Sequence, residues 1–342
     1  MMKKVLAIVL CLAVMFSLVA CGGSSESAAP QGGSSAAPSG EVITLKLSHS
    51  LAPTHPYHLG SERFAELVDE YTNGQIKIDI FPSSQLGDER ANIEDLQMGT
   101  LDIAVTSTGP LGNFCSNFLA FDLPYLFEGY EHAHAVLDGE IGQAMIAELE
   151  PIGIIGGAFW ENGFRNMTNS KNAIESPADC AGLKIRTMEN QVHMDAYGEL
   201  GIDPTPMAFS EVFTALQQGV IDGQENPTAV IYSNKLYEVQ PYIAATQLVY
   251  SPTMLLFSKT VFDGLSAEHQ EALLKAAKES AAYERECIES QEADQLAEME
   301  KYGCTVTYPD VSLFSAEMDA VYEKYTEQFG AEFIDSIRNY EY

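Results

Sequence analysis

Beyond residue 42, hydrophobic residues recur at two alternating spacings, one typical of strands and one typical of helices. Apolar residues alternate with polar ones over 43–47 and again over 76–80, which predicts two strands. Apolar residues three and four positions apart over 64–71 predict an amphipathic helix between them. A second helix over 88–98 and a strand over 101–105 follow. This βαβαβ order is typical of half of a doubly wound parallel sheet.

A short internal similarity points to two lobes of related design. Residues 96–102 match residues 216–222 at four of seven positions, and each segment carries a glycine that can end a helix before a strand. The length of 342 residues also suggests about two domains. The same helix-to-strand joint about 120 residues apart suggests two lobes of similar design.

A long proline-free segment near the C-terminus predicts one extended helix over 266–303. At 1.5 Å per residue it would span roughly 50 Å, more than the width of one lobe. We expect it to bridge the two lobes. The alternative is a pair of shorter helices separated by a kink.

The N-terminus is typical of an exported lipoprotein. Lys3 and Lys4 precede an apolar run that ends at Cys21, which predicts a signal peptide over 1–20 and lipid on Cys21. The alternative is an uncleaved anchor helix. Residues 22–40 contain only Gly, Ser, Ala, Pro, Gln and Glu, a composition that predicts a flexible tether over 21–41. We expect the folded part outside the membrane, anchored to its outer face or in the periplasm.

The net charge narrows the classes of partner. The chain has 18 Lys and Arg against 49 Asp and Glu, for a net charge of −31. Such a surface repels phosphate backbones, which argues against a nucleic-acid partner. A site for a small anion must therefore be built from a few well-placed cations.

Catalytic and metal-binding motifs are missing from the sequence, so we expect no catalytic residues, no metal and no cofactor. His132 and His134 are two positions apart on a predicted helix and face different directions. The cysteines after Cys21 form no C-x-x-C pair, and their disulfide status stays open, with isolated thiols favoured. These cysteines are Cys115, Cys180, Cys287 and Cys304.

Three segments at strand ends could together bind an organic anion. They contribute the indole of Trp160, the guanidinium groups of Arg165 and Arg186, and the amide of Asn226. The planar guanidinium matches a carboxylate in two hydrogen bonds. The alternative for either arginine is a surface ion pair. His55 lies in the first strand-to-helix loop, which makes it a candidate ligand contact.

At these residues the chain resembles the DctP-type extracytoplasmic solute-binding proteins of tripartite ATP-independent periplasmic (TRAP) transporters. The resemblance covers nearly everything after Glu41. It rests on the segments Phe81–Arg90, Leu123–Phe127, Gly182–Arg186, Pro204–Phe213, Ala215–Gly219 and Asp222–Pro227.

The resemblance implies an α/β fold with two lobes, like periplasmic binding proteins, with a mainly parallel central sheet in each lobe and the long helix between them. We expect the first lobe to comprise 42–162 and 252–290, and the second 163–251 and 291–342. A solute would bind in the cleft between the lobes and pass to membrane subunits.

The resemblance also implies roles for particular residues. Arg186 would pair with the ligand carboxylate, joined by Arg165 and Asn226. Glu89 and Phe209 fall on pocket-facing positions, and Ser107 and Glu189 on positions that vary with the ligand. Together with Trp160 and His55, these are the expected ligand-binding residues.

The expected ligand is a sugar acid such as a uronate or aldonate, because Glu189 can accept hydrogen bonds from hydroxyl groups. The alternatives are a C4-dicarboxylate or another organic acid, a secreted carbohydrate-active enzyme, and a receptor subunit that signals. We expect a monomer that contacts the TRAP membrane subunits and is not an enzyme.

Overall fold

The computed structural model describes residues 42–342. The predicted signal peptide, Cys21 and tether lie outside this range. Within residues 42–342, no helix combines the length and hydrophobicity that crossing a membrane requires. The four cysteines of the described part are free thiols.

The predicted βαβαβ unit is present at the start of the described chain. It consists of β1 (Ile43–His49), α1 (Pro56–Tyr71), β2 (Ile76–Phe81), α2 (Glu89–Met98) and β3 (Ile103–Ser107). Strand β1 pairs in parallel with both β2 and β3, so the three strand ends point to the same edge of the sheet. The hydrophobic period therefore predicted these elements correctly.

The other helices and strands alternate along the rest of the chain. In order they are α3 (Thr108–Leu111), α4 (Tyr130–Asp138), α5 (Glu140–Ala147), β4 (Ile154–Asn169), β5 (Lys184–Thr187), α6 (Gln191–Glu199), β6 (Asp203–Pro206), α7 (Phe209–Gln217), β7 (Gly223–Pro227), α8 (Thr228–Ser233), β8 (Tyr242–Ala244), β9 (Tyr250–Ser258), α9 (Lys259–Asp263), α10 (Ala267–Tyr302), β10 (Thr305–Thr307), α11 (Val311–Ser315), α12 (Asp319–Phe329) and α13 (Ala331–Arg338). Short 3₁₀ helices lie at Ser116–Asp122, Glu150–Ile152, Pro177–Cys180 and Leu236–Glu238.

Strand β4 joins two half-sheets because it is 16 residues long and belongs to both. Its residues 154–164 pair antiparallel with β9 and complete the first half-sheet, in the order β2-β1-β3-β9-β4. Its residues 165–169 pair antiparallel with β7 and start the second half-sheet, which continues through β5 and β6. Strands β8 and β10 attach to this second half-sheet.

Within each half-sheet, only the strands away from β4 and β9 are parallel to one another. Strands β1, β2 and β3 are parallel, as are β5, β6 and β7, whereas β4 and β9 run antiparallel to their neighbours. The expectation of mainly parallel sheets therefore applies to the outer strands. The central strands differ because β4 carries the chain from the first half-sheet into the second and β9 carries it back.

Helix α10 is one continuous helix of 36 residues that contacts elements of both half-sheets, as predicted. The Ser266 side chain accepts a hydrogen bond from the His269 N–H and starts the helix, and Gly303 ends it with a φ of 119°. Such a positive φ favours glycine. Small buried residues such as Ala276 and Ala277 let the helix approach β4 and α1 closely.

Candidate functional site

The ends of β3, β5 and β7 and the middle of β4 meet the start of α2 around two adjoining cavities. The first, the inner cavity, has about 270 Å³ of empty space and is lined by residues such as Tyr57, Ser107, Asn162 and Asn226. The second, the outer cavity, has about 290 Å³ and opens between Asp88, Arg90, Pro110, Glu189 and Met207. Glu89, Arg186, Met188 and Phe209 line both cavities.

Arg186 is a buried cation that forms no ion pair with the residues of the described chain. Its side chain comes from β5 and is 3% exposed. Nε and Nη2 donate to the Met207 carbonyl oxygen at 3.0 and 2.8 Å, and no carboxylate of residues 42–342 lies within 4.0 Å. Burial lowers the pKa of Arg186 to about 10, so the group stays charged at neutral pH. Its Nη1 makes no hydrogen bond to the described residues, which leaves it open to an anion.

Arg165, in contrast, already has an anionic partner in Glu225. The Arg165 side chain is fully buried, its Nε donates to a Glu225 carboxylate oxygen, and its Nη2 donates to the other at 3.1 Å. Burial lowers the pKa of Arg165, and the Glu225 carboxylate more than offsets this. Nη1 of Arg165 is buried without a hydrogen-bond partner. Arg165 itself is not among the residues that line the inner or the outer cavity.

Asn226 and Glu89 are held in place by hydrogen bonds. The Asn226 Oδ1 accepts from Arg165 Nη2 at 3.0 Å, and its Nδ2 donates to Gln224. The two Glu89 oxygens accept from the Ser107 N–H and Oγ, each at 2.7 Å. Burial raises the pKa of Glu89, and the hydrogen bonds from Ser107 oppose the rise. These groups form a polar wall of fixed geometry around the inner cavity.

Glu189 lines the outer cavity, and Phe209 lines both cavities. The Phe209 ring centroid is 5.9 Å from the Arg186 guanidinium carbon, within the range of a cation–π contact. The Glu189 carboxylate lines the outer cavity and makes no hydrogen bond to the described residues, while its backbone oxygen accepts from Asn113 at 2.6 Å.

Besides Arg165, two more of the sequence candidates, Trp160 and His55, line neither cavity. Trp160 is fully buried against α10, where its Nε1 donates to the Ala277 carbonyl oxygen at 3.2 Å. A Cβ at Gly60 would lie 2.7 Å from its ring, so α1 also packs directly on the indole. His55 is buried as the N-cap of α1, and its Nδ1 accepts from the Tyr57 N–H at 3.0 Å. Burial lowers its pKa well below the usual value.

The sequence candidates did not include Tyr57 and Asn162, which line the inner cavity, or Glu225, the ion-pair partner of Arg165. Tyr57 follows His55 by two residues, and its hydroxyl pairs with Thr253. Asn162 lies two residues after Trp160, and its Oδ1 is buried without a partner. Glu225 immediately precedes Asn226. Each lies within three residues of a named candidate, so the motifs located the site and the neighbouring side chains complete it.

Contacts across the cleft hold the two halves together around the site. The Asp88 carboxylate, at the start of α2, accepts from the Ser210 N–H at 3.3 Å and from its Oγ at 2.8 Å. Asn190, at the start of α6, donates to the Gly109 carbonyl oxygen at 3.1 Å. Both contacts join the two halves directly beside the cavities.

Comparison with known families decides the class of protein. Residues 47–328 match the family model described as bacterial extracellular solute-binding protein, family 7, known as DctP. The chain belongs to this family. Its members are extracellular solute-binding proteins, and the resemblance seen in the sequence is thereby confirmed.

Solved structures of family 7 proteins share this fold over nearly their whole length. A TRAP periplasmic solute-binding protein from Polaromonas sp. JS666, bound to D-erythronate, is 44% identical with a TM-score of 0.86, covering 87% of this chain and 98% of that one. One from Bordetella, with density attributed to pantoate, is 42% identical with a TM-score of 0.86, covering 88% of this chain and 100% of that one.

A relative identified by sequence is the 2,3-diketo-L-gulonate-binding periplasmic protein of Escherichia coli. It is 36% identical over 77% of this chain and 80% of that protein.

Proposed function

We propose that this TRAP solute-binding protein captures a hydroxylated monocarboxylate, a sugar acid such as an aldonate or uronate, and delivers it to TRAP membrane subunits. The observation that carries the proposal is Arg186, a buried cation at the wall of a polar cavity that contacts no carboxylate among residues 42–342. Charge-assisted hydrogen bonds are worth roughly 1.5–3 kcal/mol each, so such a cation favours a ligand carboxylate strongly.

We assign the ligand carboxylate to Arg186, Arg165 Nη1 and Asn226. The hydroxyl groups of the ligand would donate to Glu89 and to the unpartnered Oδ1 of Asn162. A sugar acid supplies both kinds of group, whereas a plain monocarboxylate supplies only the first. Ser107 holds Glu89 in position, and Phe209 covers the ligand beside Arg186. Trp160 and His55 support the site from the core.

A C4-dicarboxylate fits this site less well. A second carboxylate needs a second uncompensated cation, and the Glu225 carboxylate already neutralises Arg165. Burying an unpaired charge is costly, so a dicarboxylate would lose affinity at its far end. This argument favours one carboxylate and several hydroxyl groups.

The proposed capture requires the two lobes to close on the ligand. We place the first lobe at 42–162 with 252–290 and the second at 163–251 with 291–342. The proposed ligand contacts then divide between the lobes, with Glu89 and Asn162 on the first and Arg186 and Asn226 on the second. A bound acid would favour the closed state because it contacts both lobes at once.

The N-terminal prediction completes the proposal. Lipid on Cys21 and the tether over 21–41 would keep a monomeric protein at the outer face of the membrane, near its transport partners. Mass spectrometry of the mature N-terminus tests this directly. A Cys21→Ala variant should leave the membrane fraction, and its retention there would contradict the anchor.

A ligand panel tests the proposed function. The panel comprises D-erythronate, D-galactonate, D-galacturonate, succinate and malate, measured by thermal shift and then by calorimetry. We expect a hydroxylated monocarboxylate to give the largest stabilisation and to be recovered unchanged by NMR. Strongest stabilisation by succinate or malate would overturn the ligand class, and conversion of the ligand would support an enzyme instead.

A further inference from the structure

The charged side chains around the inner cavity balance each other before an acid enters. Among the residues of 42–342 that line this cavity, Arg186 carries the one positive charge and Glu89 the one negative charge. The Glu225 carboxylate neutralises Arg165 behind the wall. A ligand carboxylate that pairs with Arg186 therefore leaves an ionised Glu89 without a compensating cation.

The outer cavity supplies no spare cation for Glu89. Its lining adds one cation, Arg90, and two carboxylates, Asp88 and Glu189. Arg90 is exposed to water and already forms an ion pair on α2, so its charge compensates Glu89 weakly. The Tyr57 hydroxyl also lines the inner cavity, and burial raises its pKa well above the usual value, so it stays neutral. No histidine among residues 42–342 lines either cavity.

A bound acid makes the ionised form of Glu89 less favourable in two ways. Glu89 is partly exposed and lines both cavities, so the acid replaces water beside its carboxylate. The ligand carboxylate also brings a second negative charge into the same cavity. Loss of water and a nearby like charge both raise the pKa of a carboxyl group. Burial by the protein alone already raises the pKa of Glu89, and these two effects act in the same direction.

The hydrogen bonds of Glu89 suit both its ionised and its protonated form. In the ionised form its two oxygens accept from the Ser107 N–H and Oγ, each at 2.7 Å, and the N-terminus of α2 favours the negative charge. In the protonated form Oε2 donates to Ser107 Oγ, whose own hydrogen turns to the Met188 sulfur at 3.4 Å. Glu89 therefore gains a proton without losing its contact with Ser107.

We propose that Glu89 takes up a proton from solvent when the acid binds, so that this protein captures one organic anion together with one proton. This inference rests on the proposed function and adds the proton as a second ligand of the same site. The acid pairs with Arg186, and the neutral Glu89 carboxyl group accepts from a ligand hydroxyl at Oε1. Release of the acid returns the proton to solvent. Affinity therefore falls as pH rises, by at most about tenfold per pH unit for one proton.

Calorimetry with D-erythronate measures this proton directly. Titrations in PIPES and in imidazole give different heats, because the buffer that supplies the proton adds its own enthalpy of ionisation. We expect the uptake by the parent to reach at least about half a proton per bound acid between about pH 6 and 7.5, and the uptake by Glu89→Gln to be near zero. Glu94→Gln is the matched control, because it removes an exposed carboxylate from the same helix and lines neither cavity. Its uptake should equal that of the parent.

The affinity of Glu89→Gln gives a second readout. Its amide accepts from the Ser107 N–H and donates to Ser107 Oγ, as the protonated acid does. At about pH 7.5 this variant should bind D-erythronate at least about threefold more tightly than the parent, with a Kd that barely changes with pH. Glu94→Gln changes the net charge equally and should keep the pH dependence of the parent.

The outcomes separate this inference from the proposed function. No proton uptake by the parent, equal uptake by Glu89→Gln, or weaker binding by that variant would overturn the role of Glu89 while leaving the sugar-acid function intact. Absence of binding of every sugar acid by the parent would overturn the proposed function itself. The uptake by the parent decides the inference even if Glu89→Gln fails to fold, which circular dichroism would reveal.

Discussion

Replacing Arg186 by alanine tests the proposed site most directly. The substitution removes a buried guanidinium that has no carboxylate partner in the part of the chain that the structure describes. A ligand carboxylate held by two charge-assisted hydrogen bonds would lose about 3–6 kcal/mol. That loss corresponds to an increase in Kd of about 10²–10⁴-fold. We expect calorimetry with D-erythronate to show binding weakened by at least the lower factor.

The same substitution should barely change the stability of the ligand-free protein. Burial lowers the pKa of Arg186 to about 10, and this shift from its ordinary value corresponds to about 3 kcal/mol of unfavourable free energy at neutral pH. Losing the charge removes that cost. Losing the two charge-assisted hydrogen bonds to Met207 costs about 1.5 kcal/mol each and offsets the gain. We expect the melting temperature to change by less than about 4 °C.

Arg90→Ala is the matched control because it changes the net charge equally. Arg90 is exposed at the outer cavity, and its Nε lies 3.3 Å from Glu94. Exposed ion pairs contribute little, so its Kd for D-erythronate should change by less than about threefold. The reasoning fails if Arg186→Ala binds within about threefold of the parent. It also fails if Arg90→Ala loses as much affinity, since the long-range charge would then account for the effect.

Three further substitutions probe the buried groups. Glu225→Gln should lower the free energy of unfolding by about 3–5 kcal/mol in urea titrations, because it leaves the buried Arg165 charge uncompensated; a loss below about 1 kcal/mol would contradict this. Burial raises the pKa of Glu284 well above its ordinary value of 4.5, so the folded state binds more protons and stability falls as pH rises above that value. Glu284→Gln should make the decrease in unfolding free energy with pH less steep, by at most about 1.4 kcal/mol per pH unit, in thermal melts between pH 5 and 8. An unchanged slope would argue against a raised pKa of Glu284. Trp160→Phe should lower the free energy of unfolding by about 1–3 kcal/mol, because it removes the buried Nε1 hydrogen bond to the Ala277 carbonyl oxygen and part of the packed indole. Its Kd for D-erythronate should stay within about threefold, whereas a larger loss would place the indole at the ligand.

The spacing of hydrophobic residues along the chain predicted the outer strands and the amphipathic helices correctly. Residues 43–47 and 76–80 lie inside β1 and β2, and the segment 266–303 is α10 with one residue trimmed from each end. Strand β4 has no such signal, because it passes through Gly156, Gly157 and Gly163 and is buried almost throughout. Its role in both half-sheets depends on pairings with distant segments, which a local pattern does not contain.

The site was partly predictable for a related reason. Arg186 and Asn226 stand in motifs, and the structure brings both to one cavity. The state of Arg165 was not predictable, because its partner Glu225 is 60 positions away and reaches it through the ladder between β4 and β7. For Trp160 the sequence pattern suggested a ligand contact that the structure does not place at a cavity. An indole beside polar residues resembles a ligand contact in the sequence, and only the packing of α1 and α10 around it reveals a core residue.

Because β4 is continuous through both half-sheets, it couples their unfolding. If either half-sheet unfolds, β4 loses hydrogen bonds, and the other half-sheet also depends on β4. Neither half should therefore be stable alone. We expect heating to give a single cooperative transition, with no plateau between two melting steps. A ligand held at the cleft would then protect residues throughout the chain, including those far from it, against hydrogen exchange by global unfolding.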